Sequence, residues 1–265
     1  MFYHIVTYGC QMNIHESEKL AGALDDLGYV SCDNEQTADV IIFNTCAIRE
    51  GAENRAIGNI GALKSLKKDK PELIIAVCGC MTQQQSAANY IYKTFPFVDI
   101  IFGTHDIEKF SSFLKNRLST KQRIISHEKD NPKIWEDYHA LRTSGENAWV
   151  NIMQGCNNFC SYCIVPFVRG REKSRTKEHI FAEIKKLIET KKYKTITLLG
   201  QNVNSYGHDL YEDYSFANLL KDICEIEGDF KLKFMTSHPK DISDDVINIL
   251  ASKDKLAKEL HLPVQ

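Results

Sequence analysis

The sequence predicts an α/β protein made of two successive βα series: an N-terminal open parallel sheet with helices on both faces, then a second, incomplete βα array. Three observations lead there. Short β-rich runs alternate with helical stretches from residue 1 to about 118, helices of 12–20 residues separate those runs, and the same alternation resumes at Ala148. Strands spaced by helices of that length form βαβ units, whose sheets are parallel and covered on both faces.

In the first series His4–Tyr8 reads as a strand, followed by a helix from about Ile14 to Leu27 with Leu20, Ala23, Leu24 and Leu27 on one face. Gly28 stops that helix. Val40–Asn44 is the second strand, and a basic-ended helix runs from Arg49 to Lys68, closed off before Pro71. Leu73–Cys78, Gln83–Thr94, Val98–Phe102 and Ile107–Leu118 continue as strand, helix, strand and helix. Residues 119–147 lack sustained periodicity and contain Asn131-Pro132 and Ser144-Gly145-Glu146-Asn147, so they read as a linker with one short strand at Arg123–Ile125. The second series, 148–265, runs Ala148–Met153 strand, Lys177–Thr190 helix, Thr195–Leu199 strand and Phe216–Glu227 helix. It continues with Leu232–Thr236 strand, Asp241–Ser252 helix and Glu259–Leu262 strand. Stopping at Gln265, directly after a parallel strand, reads as a truncated chain.

The 265 residues carry 33 Lys/Arg against 35 Asp/Glu, with 43% hydrophobic and 26% charged residues. That is the composition of a folded globular protein. It excludes one that holds nucleic acid by bulk charge, while local basic patches stay open. The N-terminus has no basic n-region followed by a long apolar stretch, and so does not read as a signal peptide. The longest apolar runs, such as Leu73–Cys78, are about a third of the roughly 20 residues a bilayer requires. An odd cysteine count of nine without a secretion signal points to a reducing, cytoplasmic setting where metal or catalytic roles outrank disulfides.

Three cysteines, Cys156, Cys160 and Cys163, form C-x3-C-x2-C just after a predicted strand. Thiolates so spaced can each hold one iron of a cubane cluster, leaving the fourth iron open. An open metal position suggests chemistry, as a closed one suggests structure. The alternative is a zinc site, for which the nearest fourth ligand is His179, 16 residues on inside a helix.

Cys10, Cys46 and Cys80 are separated by 36 and 34 residues, yet each lies just past the end of a predicted strand. Parallel strands end along one edge, where ligands of open α/β sheets bind. The three thiolates can therefore converge. Each sits beside glycine or polar residues: Gly9-Cys10-Gln11-Met12-Asn13, Asn44-Thr45-Cys46-Ala47 and Cys78-Gly79-Cys80-Met81. Cys32, Cys78 and Cys224 read as small buried side chains, with Cys80 rather than Cys78 as the expected ligand.

The C-x3-C-x2-C loop after the first strand of a βα series resembles the radical S-adenosylmethionine (SAM) superfamily. The resemblance implies a partial (β/α) barrel and a [4Fe-4S] cluster on Cys156, Cys160 and Cys163. In that superfamily SAM chelates the open iron and is cleaved to a 5′-deoxyadenosyl radical. Tyr162, between two of the cysteines, would lie near SAM or pack locally. With the three cysteine phrases of the N-terminal half, the chain resembles the methylthiotransferase family throughout its length. That implies a second [4Fe-4S] cluster on Cys10, Cys46 and Cys80. Val165-Pro166-Phe167-Val168-Arg169-Gly170-Arg171-Glu172, Leu198-Leu199-Gly200-Gln201-Asn202-Val203-Asn204-Ser205-Tyr206, Thr236-Ser237-His238-Pro239 and His261-Leu262-Pro263-Val264-Gln265 look like its MiaB-type branch. That branch implies methylthiolation of C2 of isopentenylated adenosine at position 37 of tRNA. One SAM would methylate sulfur associated with the auxiliary cluster, a second would give the radical that activates C2, and an electron donor such as flavodoxin or ferredoxin is implied as a partner. Other branches act on threonylcarbamoylated adenosine in tRNA or on a ribosomal protein. A non-catalytic iron–sulfur RNA-binding protein is the reading outside the enzymes.

Residues 169–194 hold ten Lys/Arg against four Glu, a basic stretch that suits phosphate contacts. Lys185-Lys186 and Lys191-Lys192 read as a solvated helix face. Arg169, Arg171 and Arg175, outside the predicted helix, are the expected RNA or cofactor contacts. Gln201, Asn202, Ser237 and His238 follow strand ends and should face the mouth of the barrel.

Overall fold

The computed structural model describes residues 1–47, 50–128, 134–136, 138–143 and 145–263. Arg49, Asn131-Pro132, Ser144 and Val264-Gln265, which figure in the expectations above, lie outside them. The chain divides into two compact units: Met1–Leu141 with Phe167–Arg169, and Arg142–Pro166 with Gly170 onward.

The first unit contains β1 (Phe2–Thr7), α1 (Gln11–Asp25), β2 (Val30–Ser31), β3 (Val40–Thr45), α2 (Glu50–Asp69) and β4 (Ile74–Gly79). After these come α3 (Cys80–Gln83), α4 (Gln85–Thr94), β5 (Ile100–Phe102), α5 (Phe110–Thr120) and β6 (Ile124–Ser126). The strands form one sheet in the order β2-β1-β3-β4-β5-β6, parallel at every pairing. All residues of β3 and β4 are buried, as expected for central parallel strands. Alternate side chains feed two cores. Val40, Ile42, Ile74 and Ala76 pack with Leu20, Leu24, Phe110 and Leu114 on one face. Ile41, Phe43, Ile75 and Val77 pack with Ile60, Leu63, Ala88 and Ile91 on the other.

The segment expected to be a linker instead belongs largely to this unit. β6 pairs with β5, Trp135 and Leu141 pack on the first core, and Leu141 N donates to Glu18 O at 3.0 Å. A Cβ on Gly22 would lie 2.1 Å from His139 O, so the chain runs against α1 where that helix has no side chain. The boundary expected at 118 therefore moves to Leu141. Periodicity missed it because an irregular segment can be fixed by a few apolar anchors.

The second unit contains β7 (Asn147–Asn151), β8 (Met153–Gln154), β9 (Lys173–Ser174), α7 (Lys177–Glu189) and β10 (Thr195–Leu199). α8 (Phe216–Glu225), β11 (Lys231–Phe234) and α9 (Asp244–Ser252) complete it; the short helix α6 (Val165–Arg169) precedes β9 in the chain, its residues Phe167–Arg169 counting with the first unit. Its main sheet, β11-β10-β7, is parallel, and β8 pairs antiparallel with β9. One face (Ala148, Val150, Ile196, Leu198 and Leu232) packs under Ile180, Ile184, Leu220, Ile223 and Val246. The opposite face presents Asn147, Trp149, Thr195, Thr197 and Lys233 to an open cavity of about 470 Å³. Helices on one face and, on the other, a concavity that Trp149, Phe234 and Met235 line together with these polar side chains give the wall of a barrel.

The strand expected at Glu259–Leu262 is not formed. The fourth position of the sheet holds a single parallel bridge, Leu232 to Leu256, with Leu232 N donating to Lys255 O at 2.8 Å. Leu260 and Leu262 are exposed, so their alternation has no apolar surface to bury and does not become a strand. Among the described residues no helix is long and apolar enough to cross a membrane.

Candidate metal centres

In the first unit the parallel register sets Thr7 beside Asn44 and Thr45 beside Gly79, so the ends of β1, β3 and β4 lie in a row. Cys10 caps the start of α1, Cys46 follows β3, and Cys80 begins α3 directly after β4. The strand order reverses around β1, which makes this edge the switch point where open α/β sheets take their ligands. Two glycines make the approach possible. Gly9 has φ +118°, and a Cβ there would stand 2.6 Å from Cys46 Cβ. Gly79 has φ +103°, and its Cβ would stand 2.2 Å from Thr45 O. Glycine tolerates both the positive φ and the contact.

A buried polar lattice fixes these loops. Asn13 Nδ2 donates to Asn44 Oδ1 (3.0 Å) and Thr45 O (3.1 Å), while Asn44 Nδ2 donates to Asn13 O (2.9 Å) and Ser17 Oγ (3.0 Å). Cys10 Sγ donates to Asn13 Oδ1 at 3.3 Å. Cys46 and Cys80 are each 2% exposed. Burial pushes the Cys80 thiol up to about 11; Arg169 opposes the rise, and Glu16, Cys10 and Cys46 add to it. Cys78 packs in the apolar core with Ala76 and Phe102, and burial pushes its thiol well up, as for a structural side chain.

In the second unit β7 and β8 lead into Gly155, whose φ of +81° and absent Cβ admit Arg171 O; a Cβ would be 2.1 Å from it. Cys156 N donates to Gly170 O at 3.2 Å, and Cys163 N to Cys160 O at 2.9 Å. Cys156 is buried, whereas Cys160 and Cys163 are half-buried. Burial raises the Cys156 thiol.

Side chains beyond the strand ends hold this loop. Gly155 N donates to Gln201 Oε1, and Cys160 Sγ lies 3.6 Å from His238 Nε2. Asp241 Oδ2 accepts from both Asn158 Nδ2 (2.6 Å) and Asn202 Nδ2 (2.7 Å). Glu172 Oε1 accepts from Asn157 N (3.1 Å) and Ser205 Oγ (2.8 Å). Beside them Asn202 Oδ1, Asn204 Nδ2 and Ser237 Oγ are buried without a hydrogen-bond partner. Such atoms are costly unless a ligand satisfies them, and they suit one bearing amino, carboxylate and hydroxyl groups.

Neither triad has its three sulfurs all within 4.8 Å of one another among the described residues. Sulfurs at about 2.3 Å from one zinc cannot be farther apart than about 4.6 Å, whereas a cube spreads its thiolates over separate irons. The donor set and the glycine-lined approaches fit the larger group.

The arginines depart from expectation. Arg169 is 3% exposed and paired with Glu16, and Arg175 is 1% exposed, with Nη1 donating to Asn151 O and Glu183 Oε2 at 2.7 Å each. Buried and committed to internal acceptors, neither can meet an RNA phosphate, which corrects that expectation. Arg171 is exposed, its guanidinium 4.3 Å above the Phe159 ring. Tyr162 is 71% exposed. Sequence reading missed Glu16, Asn13, Asn44, Glu172 and Asp241 as parts of these sites. Only the proximity of Asn13 and Asn44 to cysteine in the chain could have signalled them.

A βα wall carrying an open three-cysteine loop at the carboxyl ends of its strands defines a radical SAM domain. Residues 150–265 match the Radical SAM superfamily, and residues 2–103 match the family described as Uncharacterized protein family UPF0004. The chain is 54% identical over 263 residues to the tRNA-2-methylthio-N(6)-dimethylallyladenosine synthase of Caldicellulosiruptor saccharolyticus, covering 99% of this chain and 56% of that protein. It is 52% identical over 265 residues to the synthase of the same name from a Thermoanaerobacter species, covering 100% of this chain and 56% of that one. The chain thus spans just over half the length of these relatives. Among solved structures it resembles the radical S-adenosylmethionine methyltransferase TsrM of Kitasatospora setae in fold, with a TM-score of 0.64 at 11% identity over 100% of this chain and 59% of that one. Along practically its whole length the chain is thus similar to tRNA methylthio-transferring enzymes that are more than a half longer than it is, and its second unit matches the Radical SAM superfamily.

Proposed function

We propose that this chain carries the two cluster-bearing units of a tRNA-2-methylthio-N(6)-dimethylallyladenosine synthase, which installs a 2-methylthio group on isopentenylated adenosine at position 37 of tRNA. The observation that carries the reading is the 52–54% identity to synthases of that name along practically the whole chain, on a fold with two separate three-cysteine edges. The C2–H of adenine is too weakly acidic for proton abstraction, so the substrate calls for radical chemistry. When bound, a [4Fe-4S] cluster with SAM supplies one-electron cleavage to a carbon radical that can take this hydrogen.

The residues divide the work by unit. Cys156, Cys160 and Cys163 would hold the cluster that works with SAM, three thiolates to its four irons. Asp241 ties Asn158 of the loop to Asn202, keeping the unpartnered Asn202 Oδ1, Asn204 Nδ2 and Ser237 Oγ in place for the cofactor's polar groups. Tyr162 offers an exposed ring beside the same loop. Cys10, Cys46 and Cys80 hold the auxiliary cluster, which serves sulfur delivery. Arg171 is the remaining arginine for the tRNA backbone. Flavodoxin or ferredoxin is the matching class of electron donor, and a tRNA substrate is consistent with a cytoplasmic protein.

Anaerobically reconstituted protein, given SAM, a reductant and tRNA bearing isopentenylated adenosine, should yield the 2-methylthio nucleoside by mass spectrometry of digested tRNA. Product only on threonylcarbamoylated tRNA or on a ribosomal protein would overturn the substrate. SAM cleavage absent under reduction would overturn the enzyme itself.

A further inference from the structure

His238 lies just past β11 in the second unit and is half-buried against the Cys156–Cys163 loop. Its backbone is fixed from several sides. Thr236, two residues earlier, takes φ +70°, a region that β-branched residues rarely enter. Thr236 Oγ1 donates to Gly200 O at 2.8 Å, and Ser237 N donates to His261 O at 3.1 Å. His238 N then donates to Asn204 Oδ1 at 3.0 Å, while His238 O accepts from Asp241 N (3.0 Å) and Ile242 N (3.1 Å). A strained backbone persists only where its surroundings over-determine it, and such places collect at functional sites.

The neighbours of the ring also fix its tautomer. Nδ1 lies 3.2 Å from Lys240 N. A backbone N–H can only donate, so Nδ1 accepts, and the neutral ring carries its hydrogen on Nε2. Asp241 Oδ2 stands 3.7 Å from Nδ1, beyond hydrogen-bonding distance, and already accepts from two asparagines. Nε2 is 3.6 Å from Cys160 Sγ, a reach that the larger radius of sulfur allows an N–H donor. The reverse bond, thiol to ring, would need a lone pair on Nε2, and the bond at Nδ1 removes it. A cysteine that binds iron is a thiolate with no proton to give, so the contact keeps the same polarity there. Hydrogen bonds to the sulfurs are among the factors that set cluster potentials, because a donor stabilises the charge that reduction adds.

We propose that His238 is a positioning residue of the second unit's metal centre: its Nε2–H donates to the Cys160 sulfur, fixing that ligand and raising the reduction potential of the cluster it holds. This rests on the assignment of Cys156, Cys160 and Cys163 to a cluster.

The test uses the full chain with Cys10, Cys46 and Cys80 replaced by Ala, so that only the cluster of the second unit remains. Iron content and a dithionite titration followed by electron paramagnetic resonance are read for H238N and H238Q in that background. Asparagine sets its amide where Nδ1 stands, so it can still serve Lys240 N but does not reach the sulfur. Glutamine restores an N–H near the place of Nε2. H238N should retain iron with the potential shifted negative, and H238Q should stay near the parent. Iron lost in H238N but kept in H238Q would equally support the need for the donor. A parent potential or a positive shift in iron-loaded H238N, the same shift in both variants, or iron loss in both alike, would overturn the proposal and leave a ring that only shapes the loop. A parent that binds no iron would instead overturn the ligand assignment beneath it, and is distinguishable for that reason.

Discussion

The two units solve the same problem, holding three thiolates at the carboxyl edge of a parallel sheet, in opposite ways. In the second unit one loop of eight residues, Cys156 to Cys163, carries all three, and two of them remain half-buried. In the first, three loops 34 and 36 residues apart each deliver one, and Cys46 and Cys80 are almost wholly buried. A loop can be built by local spacing. A convergent edge exists only once the sheet has formed, so its integrity is the integrity of the fold. Each nonetheless sets a glycine with positive φ directly before a cysteine: Gly9, Gly79 and Gly155.

The largest expected effect separates the two sites. Replacing Cys156, Cys160 and Cys163 by Ala should lower iron from about eight to about four per chain after anaerobic reconstitution. Replacing Cys10, Cys46 and Cys80 should do the same from the other side, and C32S or C224S should leave iron unchanged. Four falling to none on the first replacement would mean the distant cysteines hold nothing, and the comparison between the units would collapse.

Next come the glycines. G79A forces a Cβ to 2.2 Å from Thr45 O between two central strands, at φ +103°. We expect a loss of about 2–4 kcal/mol in urea unfolding of the metal-free chain, with the auxiliary irons lost as well. G155A meets a comparable clash with Arg171 O but lies in a loop. It should remove the other irons while leaving most of the stability. Equal destabilisation by both would show that the loop is as integral to its unit as the sheet edge is to its own.

These contrasts also explain what could be read from sequence. The βα alternation was legible because β3 and β4 are apolar on both faces, and Thr195–Leu199 is a strand at the expected bounds. The spacing of Cys156, Cys160 and Cys163 needs no fold to be recognised, and the convergence of the other three follows from parallel topology alone. Glu16–Arg169 is different. Its partners are 153 residues apart, and nothing local marks an arginine as internally paired, so Arg169 and Arg175 read as RNA or cofactor contacts. The extra turn of chain over α1, fixed through Gly22, has no periodicity to betray it.

A smaller effect is expected at Asp241, whose Oδ2 serves two asparagines. D241N turns one accepting oxygen into a donor facing Asn158 and Asn202, a cost of about 1–3 kcal/mol to that local network. Weaker SAM binding to the iron-loaded protein by equilibrium dialysis, with auxiliary iron unchanged, would confine the effect to the second unit. Unchanged SAM affinity would remove Asp241 from the cofactor site.

The smallest effect tests the first unit away from its metal edge. Asp106 Oδ1 accepts from Lys109 Nζ at 2.9 Å, and its Oδ2 accepts from Ser126 Oγ (2.9 Å) and Glu128 N (3.1 Å), holding β6 to the sheet. Burial works to raise its carboxyl, yet the bonds from Lys109, Glu128 and Ser126 prevail and hold it below its ordinary 3.8. A carboxylate depressed in the folded state adds stability that is complete above the unfolded value of about 3.9 and is lost as pH falls through the folded value. In D106N, about 1–2 kcal/mol should therefore disappear from the metal-free chain at pH 7, and the gap to the parent should narrow below pH 4. The metal-free form is the one to use, because acid strips iron–sulfur clusters. A gap that stays constant from pH 7 to pH 3 would mean that shape rather than charge holds β6. The polar bonds at Asp106 would then be replaceable in a way that those around Asn13 and Asn44 at the cysteine edge are not.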